Sequence, residues 1–161
     1  MPYFGASVAV RFAEIDRAGI VYYPRFFHYF HIAFEEFFAD CVGVPYHVML
    51  EERKIGFPAV RVECDYEAPL KFGDHLEVRI SVARVGRTSV VFRYRVWNKG
   101  PARIAADARV TVVCVDMDTF RPKPVGEPYR AAFLRYLDAE AIPAPAAVRA
   151  RGKRGAGRIR P

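Results

Sequence analysis

The chain has 161 residues, 52% of them hydrophobic and 27% charged, with a formal net charge of +7 at pH 7. This length supports one domain with a sizeable core rather than two. No run reaches the roughly 18 uncharged apolar residues of a membrane-spanning helix, so a membrane partner is not expected.

The opening residues, MPYFGASVAVRF, show no basic region followed by an apolar one, and a cytoplasmic protein is expected. Val8, Val10 and Phe12 alternate with Ala9 and Arg11 and predict a first strand. A loop carrying Asp16 follows. Pro24 stands where a helix begins without losing a hydrogen bond, and Phe26, Phe30, Ala33, Phe34, Phe37, Phe38 and Cys41 then recur at spacings of three and four. These predict one long helix, apolar around most of its circumference and therefore wrapped by other elements. Gly43 and Pro45 end it, and YHVMLEERK predicts a short second helix.

Beyond Gly56 the period drops to two. Val60, Val62, Cys64 and Tyr66 form one alternating run; Leu76, Val78, Ile80 and Val82 form another; Phe92, Tyr94 and Val96 form a third. Arg109 to Val115 is a fourth, more continuously apolar run. The segments between them, APLKFGDH, RVGRTS and NKGPAR, carry turn residues. EPYRAAFLRYL predicts a last short helix. The fold class expected is α+β, a five-stranded antiparallel sheet around one long helix, over a domain spanning 1–142. A sheet of this size leaves edges unpaired, so a homo-oligomer that extends it is expected.

The last stretch holds Arg149, Arg151, Lys153, Arg154, Arg158 and Arg160 and no acid, which leaves the rest of the chain close to neutral. This Pro/Ala/Gly/Arg segment, 143–161, is expected to be a disordered tail. Its second reading is loose electrostatic contact with nucleic acid or anionic lipid. Cys41, Cys64 and Cys114 are odd in number and widely spaced, which argues against a disulfide framework and against a thiolate metal site.

Asp16 is the residue that composition leaves unexplained. A carboxylate in so apolar a stretch either caps a turn or does chemistry. Glu14 either orients the same loop or is a solvated strand-end charge. His28, His31 and Glu35 share one helix face, a spacing on which a metal site is conceivable, but no further ligand is evident and no metal is expected.

The string FAEIDRAGIVYYPRF, Phe12 to Phe26, resembles the signature of hotdog-fold acyl-CoA thioesterases of the 4-hydroxybenzoyl-CoA thioesterase type. CDYEAPLKFGDHLEV, GRTSVVFRYRV and ARVTVVCVDMDTFRPKPV are similar to later stretches of that family, in the same order, so the resemblance runs from about Val8 to Tyr136. It implies hydrolysis of an acyl-CoA thioester, with coenzyme A as part of the substrate and no separate cofactor. It also implies dimers or tetramers, a homotetramer being the expectation, with active sites between subunits. Asp16 falls at the family's catalytic carboxylate, acting as nucleophile or general base. The main-chain amide of Tyr23 falls at its oxyanion donor, and Gly19 lets the backbone approach the substrate. His31, beside Phe27, Phe30 and Phe34, falls where the hydroxybenzoyl enzyme has a carboxylate; this departure implies a different aryl group or a short branched acyl group. Arg84 and Arg87, with Thr88 and Ser89, fall where the family binds the phosphates of coenzyme A, and their other reading is a solvated turn. The competing function is a non-catalytic acyl-CoA or acyl-carrier binding protein, with nucleic-acid contact through the tail. Dehydratase motifs of the same fold are not evident.

Overall fold

The computed structural model describes residues 2–138. The domain expected over 1–142 is therefore described to Asp138, and the tail expected over 143–161 lies outside the described residues.

Five strands form the main antiparallel sheet: β1 (Phe4–Ala9), β3 (Ala59–Tyr66), β4 (His75–Val85), β5 (Ser89–Asn98) and β6 (Arg103–Val113), in the order β1-β4-β5-β6-β3. Two short strands, β2 (Ile55–Gly56) and β7 (Val115–Asp116), pair with each other. The helices are α1 (Arg25–Phe37), α2 (Tyr46–Glu51) and α3 (Tyr129–Leu134). Period-two patterning is what makes β4 and β5 the sheet's centre. Leu76, Val78, Ile80 and Val82 of β4 and Val90, Phe92, Tyr94 and Val96 of β5 all point inward and are buried.

Helix α1 lays Phe26, Tyr29, Phe30, Ala33, Phe34 and Phe37 against this face. Burying each such ring stabilises by about 1.5–3 kcal/mol. Phe37 sits at the densest point, its ring centroid 5.1 Å from Tyr136, 6.0 Å from Phe92 and 6.2 Å from Phe4. The helix then widens into a π turn (Phe38–Val42) and stops at Gly43, whose φ of 80° is a left-handed conformation that glycine adopts without steric cost.

Three expectations change in detail. The first strand runs Phe4–Ala9, not to Phe12: the chain turns into a short 3-10 segment (Phe12–Glu14), leaving the Phe12 ring 78% exposed. Strand β6 begins at Arg103, six residues before the expected start, because Ile104, Ala105 and Ala106 are too small and mixed to show alternation. The wrapping of α1 is one-sided, since Phe27, His28, His31, Glu35 and Glu36 remain exposed on its other face.

Strand β3 is an edge. It pairs with β6 alone among the described residues, and nearly all of its length is exposed on both faces, Val60 and Val62 included. Exposed apolar residues on an unpaired edge are what a sheet extended by another chain would cover.

Candidate active site

The site begins with a tight hairpin between β1 and α1. Asp16 N–H donates to Ile20 O (2.9 Å) and Tyr22 N–H donates to Glu14 O (2.9 Å), so residues 14–16 run antiparallel to 20–22. Gly19 N–H closes the turn on Asp16 O (3.0 Å), and its φ of 78° explains the glycine. The half-buried Asp16 side chain does one structural job here: Oδ1 accepts from Ala18 N–H (2.8 Å). Its Oδ2 has no partner among the described residues.

Glu14 is bonded rather than solvated. Its Oε2 accepts from Arg11 N–H (2.7 Å) and from the hydroxyl of Tyr29 (2.8 Å), a fully buried residue one turn into α1. Burial, with the carboxylate beside it, pushes the Tyr29 phenol above its ordinary value, so it stays a donor. The hairpin that carries Asp16 is thereby pinned to α1 through Glu14, by side chain at one end and carbonyl at the other. Tyr29 has no counterpart in the sequence reading, because a tyrosine at an inward helical position looks like any other core aromatic.

The helix entrance supplies the opposite polarity. Tyr22 O accepts from Arg25 N–H (2.8 Å), which fixes the Tyr22–Tyr23 peptide plane. In a trans peptide the N–H points opposite to the C=O, so the Tyr23 N–H faces away from the helix, and it has no acceptor among the described residues. Tyr66 of β3 donates its hydroxyl to Tyr23 O (3.1 Å), and burial pushes that phenol up to about 12. Asp16 lies on this hydrogen-bonded hairpin and Tyr23 at the point where its second arm passes into α1.

Further along α1, a cavity of about 300 Å³ opens between the helix and the sheet. Phe27, Phe30, His31, Phe34, Tyr46 and Tyr94 are among its walls. The expected acyl-site residues Phe27, Phe30 and His31 are thus brought together. His31 Nε2 lies 3.1 Å from Glu35 Oε1, both side chains being exposed. His28 also faces outward. Among the described residues no three His, Cys, Asp or Glu side chains converge as metal ligands.

Arg84, Arg87, Thr88 and Ser89 form the β4–β5 turn, where Gly86 N–H donates to Ser89 O (2.8 Å). Arg130 of α3, absent from the sequence reading, donates to Gly86 O (2.8 Å) and adds a third guanidinium. One protomer does not bring this turn to Asp16. The carboxylate hairpin packs at the His75 end of β4, through Val10 N–H to Asp74 O and Val21 N–H to Leu70 O (2.9 Å each). The turn is at the other end of that strand, about 30 Å away at 3.3 Å per residue.

The sequence profile of the thioesterase-like superfamily matches residues 10–151. An acyl-CoA thioesterase, YbgC, of Haemophilus influenzae is 28% identical over 130 residues, which are 81% of this chain and 93% of that protein. A 1,4-dihydroxy-2-naphthoyl-CoA hydrolase of Synechococcus elongatus is 29% identical over 120 residues, 73% and 85% of the two chains. A 1,4-dihydroxy-2-naphthoyl-CoA thioesterase from Synechocystis has a crystal structure that superposes with a TM-score of 0.75, covering 82% of this chain and 96% of that one at 23% identity, a likeness of fold. The architecture is the hotdog fold, and the superfamily match with the named relatives makes the molecule a thioester hydrolase. The chain belongs to the thioesterase-like superfamily.

Proposed function

We propose that the protein hydrolyses an acyl-CoA whose acyl group is aromatic or short and branched, by a mechanism of the 4-hydroxybenzoyl-CoA thioesterase type, at a site completed by a second copy of the chain. The observation that carries this reading is the pairing, on one hydrogen-bonded hairpin and its exit into α1, of an Asp16 oxygen and a Tyr23 N–H that both lack a partner among the described residues. In the proposed reaction the thioester carbonyl lies between them. Asp16 attacks the carbonyl carbon or takes a proton from a water that does so. Charge grows on the carbonyl oxygen, where the Tyr23 N–H and the positive end of α1 meet it. The C–S bond breaks, the thiolate of coenzyme A leaves, and water supplies the oxygen of the free acid. The acyl group occupies the cavity that Phe27, Phe30, Phe34 and Tyr94 help to line.

The second copy is argued from register. At one end of the sheet Ala59 lies level with Val112, Val90 and Val85; at the other, Tyr66 lies level with Ala106, Val96 and Val78. A second copy paired antiparallel along the open β3 edge therefore presents its Arg84–Ser89 end at the Asp16 end of the first. Guanidinium groups suit the phosphates of coenzyme A.

Thiol release from a panel of aromatic, branched and straight-chain CoA esters tests the reaction. At least one aromatic or branched ester should turn over with kcat/KM of about 10⁴ M⁻¹s⁻¹ or more; tight binding with no release from any ester would favour the acyl-CoA binding protein instead. Shared sites are tested by complementation. A chain carrying Asp16→Asn and a chain carrying both Arg84→Ala and Arg87→Ala, unfolded together and refolded as a mixture, should recover activity that neither has alone. A mixture no more active than its parts overturns the shared site.

A further inference from the structure

The cavity beside α1 is lined mostly by apolar side chains, and its polar groups are the His31 imidazole and two phenol hydroxyls with protons to spare. Tyr94 is an inward residue of β5, flanked by Phe92 and Val96, and its ring stacks on Phe30 at 5.0 Å between centroids. The residue is only 2% exposed, yet its hydroxyl has no hydrogen-bond partner among the described residues. That oxygen is not sealed in packed protein either, because among the described residues the one fully enclosed side-chain polar atom without a partner is Arg109 Nε. What the Tyr94 hydroxyl meets is the cavity it lines. Tyr46 is the second phenol: its oxygen accepts from Phe57 N–H (3.1 Å), and it too lines the cavity with its own proton uncommitted among the described residues. Burial pushes both phenols above their ordinary values, so both remain protonated donors.

Packing alone does not account for this arrangement. Phenylalanine would stack on Phe30 equally well, so the ring contact does not require the hydroxyl. We infer that Tyr94, assisted by Tyr46, is a specificity-determining residue that donates to an uncharged acceptor oxygen, ether or keto or hydroxyl, at the end of the acyl group remote from the thioester. Among the described residues no Lys or Arg lines the cavity, and the His31 imidazole is already paired with Glu35 at 3.1 Å, so a carboxylate there would find no uncommitted cation. Recognition by donors also differs from recognition by a carboxylate, which needs an O–H on the substrate. A pair of donors accepts a methoxy oxygen, and a carboxylate does not.

This inference rests on the thioesterase reading, and its test separates the two. Coenzyme A esters of 4-methoxybenzoate and 4-ethylbenzoate are nearly equal in shape and differ in one acceptor oxygen; the 3-substituted pair covers the other direction of approach. With the full-length wild type, kcat/KM should favour methoxy over ethyl by about 10- to 100-fold in at least one pair. Tyr94→Phe should bring that ratio to near one, through a larger loss of kcat/KM on the methoxy ester than on the ethyl ester. Tyr46→Phe should lower the ratio by a smaller factor. A wild-type ratio near one in both pairs overturns the inference without any variant. So does a Tyr94→Phe enzyme that keeps the ratio, or one that loses both esters alike, which is the mark of a packing role. Failure to hydrolyse any ester at all would strike the thioesterase reading itself.

Discussion

Asp16→Asn should lower kcat by about 100- to 1000-fold while leaving KM and the melting temperature nearly unchanged. The substitution is chosen for what it keeps. An asparagine side-chain oxygen accepts from Ala18 N–H as Asp16 Oδ1 does, so the turn that ends at Gly19 keeps its closing bonds. What disappears is the negative charge and the basicity of the second oxygen. A drop in kcat with unchanged KM would mean that the lost interaction belongs to the transition state alone. Near-normal turnover in this variant would discard the carboxylate mechanism; an unfolded variant would mean that the charge holds the loop, which the neutral hydrogen bonds of the hairpin do not suggest.

The largest expected effect on stability is at Phe37. Phe37→Ala should cost about 3–5 kcal/mol, read from denaturant titration, because the ring is fully buried among Phe4, Phe92, Phe133 and Tyr136, which come from four different elements or loops. These neighbours cannot all close on the space left behind, since each is also held by its own strand or helix. For a domain of this size the melting temperature should fall by about 10 °C or more. A loss below about 1 kcal/mol would show that the aromatic cluster is loosely packed at its centre.

Much of this molecule is written locally and could be read without coordinates. The three-and-four spacing of Phe26, Phe30, Phe34 and Phe37 is a property of one segment; Asp16, Gly19 and Tyr23 stand out as site candidates only through the resemblance to a thioesterase signature, although bonds within a few residues shape the turn that carries them. The misplacement of the first strand has the same origin. Phe12 continues the alternation of Val8 and Val10, but the register is set by β4, and the last paired residue is Ala9 opposite His75. Other features depend on contacts far apart in the chain. Tyr29 and Glu14 meet through a hydrogen bond across 15 positions, and Tyr94 reads as a core residue because its ring is one; only the cavity at its hydroxyl sets it apart. The turn at Arg84–Ser89 is expected to serve the same intersubunit site as Asp16, and within one chain the length of β4 separates the two. Nothing in the spacing of residues reports that distance.

The open edge of β3 has a consequence for how such an enzyme behaves in quantity. On the proposed arrangement a solitary copy owns a reactive carboxylate and a set of phosphate-binding arginines that cannot serve the same molecule. Competence then arises at encounter rather than at folding. The fraction of chains able to turn over, and not merely their number, rises with abundance, so that a sparse population would be disproportionately idle and a dense one disproportionately effective.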